Sequence, residues 1–342
     1  GGDGGGGGKP AKPQLLDAKA AQNIAIWLSQ FKGKDYRTLA TDMGCFNVAA
    51  MQLQQLKALM HHLPGRDERG AVTAYVEAAT HGGDELDAVL KTLTEPERFV
   101  YELQRIPQLD ERLEAFAFRL SFDARKADIK PAIDTLKCAC DELMAAKRFA
   151  ELLELVLELG NYLNNGTPRG GFWGFKLATL AKLGDTKSTD NSTTLLQYLA
   201  ELLGAAGERG AALLAFDAEL PHVAAAVRVS VTQVEGDRNA LHKAYKHSHA
   251  LIESFEDFDG FHMTQWGLRP FFAKVEKDLA AVDRALDDMQ ARFAECLTYF
   301  DEPKSTKPDE FFGMVLDFGK ALKEAKAAAE KRRVAAQRAG HR

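Results

Sequence analysis

Three groups of residues in this chain have types suited to covalent or metal chemistry, and the spacing of each argues against it. Cys138-Ala-Cys140 could offer two thiolates, but no second pair stands at metal-site spacing, and structural zinc takes four Cys or His ligands. His242, His247 and His249 do not put two imidazoles on one helical face at i and i+4, so they read as solvated. Gly170, Gly171 and Gly174 form a glycine-rich stretch that invites a phosphate. No GK[ST] follows it and no strand precedes it, which removes that reading. Nucleophile-elbow, P-loop and HExxH motifs are likewise missing, so no catalytic residue, cofactor or metal is expected. The chemistry left is recognition.

Two residues stand out for recognition. At about 100° per residue, Ile24, Trp27, Leu28 and Phe31 fall on one helical stripe, while Ile26 lies about 200° from Ile24. Ile26 is therefore expected to point away from the local core, as either an incidental surface residue or an apolar anchor for a partner. Lys187 sits in DTKS, within the polar loop from Gly184 to Thr193, and by itself reads as one more solvated lysine. Between them, Phe172, Trp173 and Phe175 interleave with the glycines; these aromatics are expected to pack into the body.

The elements that must carry these residues are helical almost throughout. Apolar residues recur at helical spacing in AQNIAIWLSQF, NVAAMQLQQLKALMHHL, the span Ile129 to Leu159 and the run Phe271 to Phe300. Pro64-Gly65, Gly82-Gly83, Pro107 and Gly160 punctuate them, Gly160 as a helix C-cap. VRVSVTQV, from Val227, alternates like a strand but reads as helix, because Val223, Val227, Val231 and Val234 also keep helical spacing. Asn191, Ser192 or Thr193 is expected to cap LLQYLAELL. The stretches from about Glu219 to Phe255 and from Phe271 to Phe300 suit helices packed side by side in a bundle.

The 342 residues are 46% hydrophobic and 27% charged with net charge −5, which describes a soluble chain long enough for a large core. No apolar run of about 18 residues suggests a transmembrane segment. Four scattered cysteines, Cys45, Cys138, Cys140 and Cys296, fit a reducing, cytoplasmic setting. From Gly319 to Arg342, eight Lys or Arg stand against two Glu, a local charge of +6. This end reads as a solvated basic helix or as a contact for an acidic surface. Nucleic acid is not an expected partner, since the overall charge is negative and no aromatics interleave the basic end. Residues 1–14, glycine-rich and then KPAKPQ, read as a flexible linker, and the absence of an opening methionine predicts a fragment or processed product.

The stretch GNYLNNGTPRGGFWGFKLATLAKLGDTKSTDNSTTLLQYL, Gly160 to Leu199, resembles the signature segment of the formin homology-2 domain, of diaphanous-like type. AQNIAIWL, IKPAIDTLKCACDEL, ELPHVAAAVRVS and KPDEFFG are similar to other parts of that domain, in order from about Leu15 to about Arg333. The resemblance implies an all-α, elongated multi-helix fold with knob, three-helix coiled-coil bundle and post. It places the domain at 15–318, with the knob about 15–110 and post and coiled-coil regions about 111–318, and leaves 319–342 as a basic tail. It implies an actin-binding protein that nucleates filaments and stays on growing barbed ends. Ile26, Asn23, Lys187 and Arg112 are then actin contacts, Arg112 being the arginine kept in IPQLDERLEAF where some relatives carry several. Gly160, Asn161, Tyr162, Asn164, Gly174 and Phe175 would belong to the post surface that receives a lasso from a second subunit. Formins of this type begin with a tryptophan-containing lasso, preceded by a proline-rich segment that binds profilin. Here about 14 residues precede the knob helix, and Trp27, Trp173 and Trp266 lie within the body. The intact protein is thus expected to be a homodimer at the actin cytoskeleton, and this chain a monomer with weak, non-processive activity. The rival reading is a helical scaffold that binds other proteins without touching actin.

Overall fold

The structure is a computed structural model that describes residues 14–168, 170–188, 191–258 and 267–340, the last five of these in backbone only. The linker reading of residues 1–13 and the placement of Trp266 lie outside the described residues. Fifteen α-helices occur among the described residues, and the single β-type pairing is an isolated bridge between Lys187 and Thr194. The all-α expectation holds. No helix among the described residues is long and apolar enough to cross a membrane.

The chain divides into two compact units. The first comprises residues 1–126 and 239–279. It contains α1 (Ala18–Leu28), α2 (Tyr36–Gly44), α3 (Leu53–His62), α4 (Arg66–His81), α5 (Leu86–Thr92), α6 (Glu95–Gln104) and the opening part of α7 (Leu109–Ala145). Helix α6 packs against α1, α2 and α4. It starts at a capping box in which Thr94 Oγ1 accepts from Glu97 N, while the buried Glu97 carboxylate accepts from Thr94 N at 2.9 Å. The other Glu97 oxygen accepts from Leu15 N at 2.7 Å, so the chain's entry into this unit is fastened to α6. The helix expected from Asn47 begins only at Leu53, because Phe46 takes φ 60° and Gln52 forms the cap.

The second unit comprises residues 127–238 and 280–342. It takes the rest of α7, then α8 (Lys147–Leu163), α9 (Thr179–Lys182), α10 (Leu195–Ala205), α11 (Gly207–Leu214) and α12 (Val223–Ala226). The start of α13 (Val231–Glu253), the later part of α14 (Leu268–Tyr299) and α15 (Pro308–Gly340) complete it. Phe149 stacks on Phe216 at 5.2 Å, Phe216 meets Phe318 at 5.9 Å, and Phe311 meets Phe300 and Phe293, each at 5.8 Å. The single helix expected over Ile129 to Leu159 is two, broken at Ala146, whose ψ of 98° leaves the helical region. VRVSVTQV is neither strand nor unbroken helix. Residues 227–230 lie outside any helix, and Ser230 Oγ accepts from Gln233 N to begin α13.

Helix α11 folds back onto the last turn of α10 so closely that a Cβ on Gly210 would lie 1.8 Å from the Leu203 carbonyl oxygen. That carbonyl cannot move without distorting α10. Gly210→Ala is expected to destabilise the protein by about 2 kcal/mol through overpacking, read as a lowered thermal unfolding midpoint. An unchanged midpoint would show that the two helices part without cost.

Candidate functional site

Helix α1 is held in one rotation. Asp17 caps it, its carboxylate accepting from Lys19 N at 2.9 Å and Ala20 N at 3.2 Å. Trp27 stacks on Phe99 at 5.3 Å, and its indole N–H donates to the Gln55 carbonyl at 2.7 Å, so both the ring and its polar tip are engaged. Ile24, Trp27, Leu28 and Phe31 are buried, as their spacing predicts, and Ile26 is left 60% exposed. Asn23 is half-buried on the same helix, its amide nitrogen 3.3 Å from Nδ1 of His62. The helix thus presents one isolated isoleucine from a rigid base.

The second unit carries a larger apolar surface. Helix α8 runs through Gly160 to Leu163, which corrects the expectation of a C-cap at Gly160: Asn164 N and Asn164 Nδ2 both donate to the Gly160 carbonyl and extend the helix by a turn. Asn161 grips the following loop at two points, accepting from Phe172 N and donating to the Phe172 carbonyl, each at 2.9 Å. Gly170 is needed because a Cβ there would lie 2.6 Å from the Asn164 carbonyl oxygen. The expectation that the aromatics pack inward is corrected for two of the three. Trp173 is 99% exposed, Phe172 is exposed beside it, and only Phe175 is half-buried. Tyr162, at 78%, and Leu163 are also exposed.

Beside these residues an open cavity of about 520 Å³ is lined by Leu143, Phe149, Leu153, Leu157, Gly174, Phe175, Tyr299 and Phe300. Lys176 closes one side on the Asp301 carboxylate at 2.6 Å, and Leu177 N donates to Glu302 at 2.9 Å. Asp301 and Glu302 escaped the sequence reading because they are 125 positions away from the residues they hold. The structure therefore brings Asn161, Asn164, Gly174 and Phe175 to one surface, with Tyr162 exposed and Gly160 inside the supporting helix.

Lys187 lies on a neighbouring loop of the same unit. Ser188 N donates to the Thr193 carbonyl at 2.9 Å and Leu195 N to the Thr186 carbonyl at 2.8 Å, closing a short two-stranded turn. Helix α10 is capped by Thr194, one residue beyond the expected positions, in a capping box with Gln197. The Lys187 side chain is exposed and makes no hydrogen bond or ion pair among the described residues, which leaves its charge available to a partner.

Arg112 does not belong to any exposed surface. It is fully buried in the first unit, where Nε donates to the Pro107 carbonyl at 2.8 Å, Nη1 to Gly44 at 3.3 Å and Nη2 to Glu256. Its guanidinium lies over Phe255 and Phe258, 4.5 and 5.0 Å from the ring centroids. Burial pulls its pKa down to about 10, still charged at neutral pH. The expectation of a surface contact at Arg112 is corrected: this side chain ties three chain segments together.

Among the described residues these surfaces offer an exposed isoleucine, a lysine whose side chain has no partner, and a cavity edged by exposed aromatics. No group of three or more His, Cys, Asp or Glu among the described residues could hold a metal ion. Comparison with known proteins gives these features a family. The model of the Formin Homology 2 Domain matches residues 4–323. Formin-A of Dictyostelium discoideum is 32% identical over 327 residues, covering 92% of this chain and 26% of its own length. Protein diaphanous homolog 3 of Rattus norvegicus is 30% identical, covering 95% of this chain and 27% of its own length. Disheveled-associated activator of morphogenesis 2 of Gallus gallus is 29% identical, over 91% of this chain and 28% of its own length. The chain spans about a quarter of the length of these relatives.

Proposed function

The chain belongs to the formin homology 2 family, and from that premise we propose that it binds actin at filament barbed ends and promotes filament assembly without covalent chemistry. The observation that carries this reading is Ile26, an exposed isoleucine on a helix whose other large apolar residues are buried. In this proposal Ile26, flanked by Asn23, is the apolar anchor of the knob and fills a pocket on one actin subunit. Lys187 is the post-side contact with acidic groups of actin. Both contacts stabilise a small actin oligomer that is unfavourable alone, which is how nucleation is promoted.

The cavity beside Phe175 is suited to receive an aromatic-bearing lasso from a second subunit, with Gly160, Asn161, Tyr162, Asn164 and Gly174 forming and framing that surface. Two linked half-sites can then step, one holding while the other releases. The intact protein is proposed as a homodimer, fed by profilin-actin through a proline-rich segment and working at the cytoplasmic actin cytoskeleton. This chain alone is proposed to bind more weakly and without processivity.

Seeded elongation of pyrene-labelled actin tests the reading, using the chain, the chain fused at its N-terminus to a dimerising coiled coil, and Lys187→Asp. The chain or its fusion is expected to alter barbed-end elongation. Lys187→Asp is expected to weaken the effect about tenfold, and added salt to narrow the difference. Folded, helical proteins that all leave elongation unchanged would transfer the family fold to the scaffold reading.

A further inference from the structure

Helix α15 begins as a core element, with Phe311, Phe312, Val315, Phe318 and Leu322 buried, and packs along α10. Its later part is exposed and basic, and one of its cations has a defined address. Arg332 Nη2 donates to Gln197 Oε1 at 2.9 Å, and Nη1 lies 3.4 Å from Thr193 Oγ1. Both acceptor residues also take part in the hydrogen bonds around the Lys187 loop. The same Gln197 oxygen accepts from Thr194 N at 3.1 Å in the capping box of α10. Thr193 holds Ser188 at two points: its carbonyl accepts from Ser188 N at 2.9 Å, and its own N donates to Ser188 Oγ at 3.2 Å. Lys187 pairs through its backbone with Thr194. Arg333, the next residue, makes no hydrogen bond or ion pair among the described residues.

We propose that Arg332 is a positioning residue for the Lys187 loop: its forked guanidinium clamps Thr193 and Gln197, so the basic end of α15 sets the direction in which Lys187 is presented. Among the described residues Lys187 is held only through its backbone, so the orientation of its side chain follows that of the loop. A planar fork can bridge two acceptors on adjacent turns, whereas a lysine ammonium at the same place lacks the fixed geometry. The basic tail then contributes shape as well as charge. The functional part of this inference rests on the proposed actin contact of Lys187; the structural part does not.

Hydrogen–deuterium exchange of the full chain without actin, comparing Arg332→Ala, Arg332→Lys and Arg333→Ala with the parent, separates the two. Arg332→Ala is expected to speed exchange at the Ser188, Thr194 and Leu195 amides at least about threefold, with Arg332→Lys close behind and Arg333→Ala unchanged. Barbed-end affinity should fall in parallel for Arg332→Ala and more than for Arg333→Ala, although each removes one positive charge. Equal exchange in Arg332→Ala and Arg333→Ala overturns the proposal, and equal losses of affinity would assign the tail to charge alone. If Lys187→Asp leaves actin assembly untouched, the exchange result still decides the clamp and only the actin reading falls.

Discussion

Ile26→Ala is expected to weaken the chain's effect on barbed-end elongation by roughly thirtyfold or more, while thermal unfolding stays where it was. Burying an isoleucine side chain in a partner's pocket contributes about 2 kcal/mol or more, and each 1.4 kcal/mol is tenfold in affinity. The same side chain contributes little to the fold, since it is 60% exposed and alanine is the better helix former. Ile24→Ala supplies the converse. Ile24 lies two positions away and is fully buried, so its truncation should cost about 2 to 5 kcal/mol of stability. One substitution should move binding alone, the other unfolding. Retained barbed-end activity in folded Ile26→Ala would take the anchor away from α1 and place it on another surface.

Arg112→Met is expected to be the most damaging polar substitution in the first unit, lowering stability by about 3 kcal/mol or more. The methionine replaces the side chain's volume but none of its donors. It removes the donors to the carbonyls of Gly44, Pro107 and Glu256; the Gly44 acceptor is buried and the other two partly so, and a buried acceptor left without a donor costs about 1 to 3 kcal/mol. Arg112→Lys should rescue only part, because a single ammonium on a flexible stem does not span three acceptors at the edges of a planar group. Urea unfolding measures both. A midpoint for Arg112→Met equivalent to a loss under about 1 kcal/mol would show that the three segments hold without this side chain.

The contrast between Ile26 and Arg112 shows which features could be read from the chain alone. Helical periodicity is a local property, so the stripe of Ile24, Trp27, Leu28 and Phe31 and the outward Ile26 follow from a dozen residues. Arg112 was legible as a charge, but its acceptors include Gly44 and Glu256, and nothing local announces that a charged residue is enclosed by such distant parts of the chain. Gly160 misleads for a subtler reason. A glycine followed by asparagines suggests a stop, yet two donors of Asn164 returning to its carbonyl carry the helix one turn further. Trp173 reads as inward because aromatics usually are; its exposure accompanies the Asn161 clamp at Phe172, a pairing across 11 positions. The break at 227–230 arises where Ser230 caps a new helix, which competes with the helical spacing of the valines around it.

The fastening at the front of the first unit has a mechanical consequence. Leu15 N is held by Glu97 of α6, Asp17 N by Glu68 of α4 at 2.5 Å, and Leu16 between them is buried. A pull arriving from upstream of Leu15 therefore loads α6 and α4 before it reaches α1. Helix α1 sits behind a strain relief, so Ile26 is expected to keep its aim while the chain ahead of it is under tension.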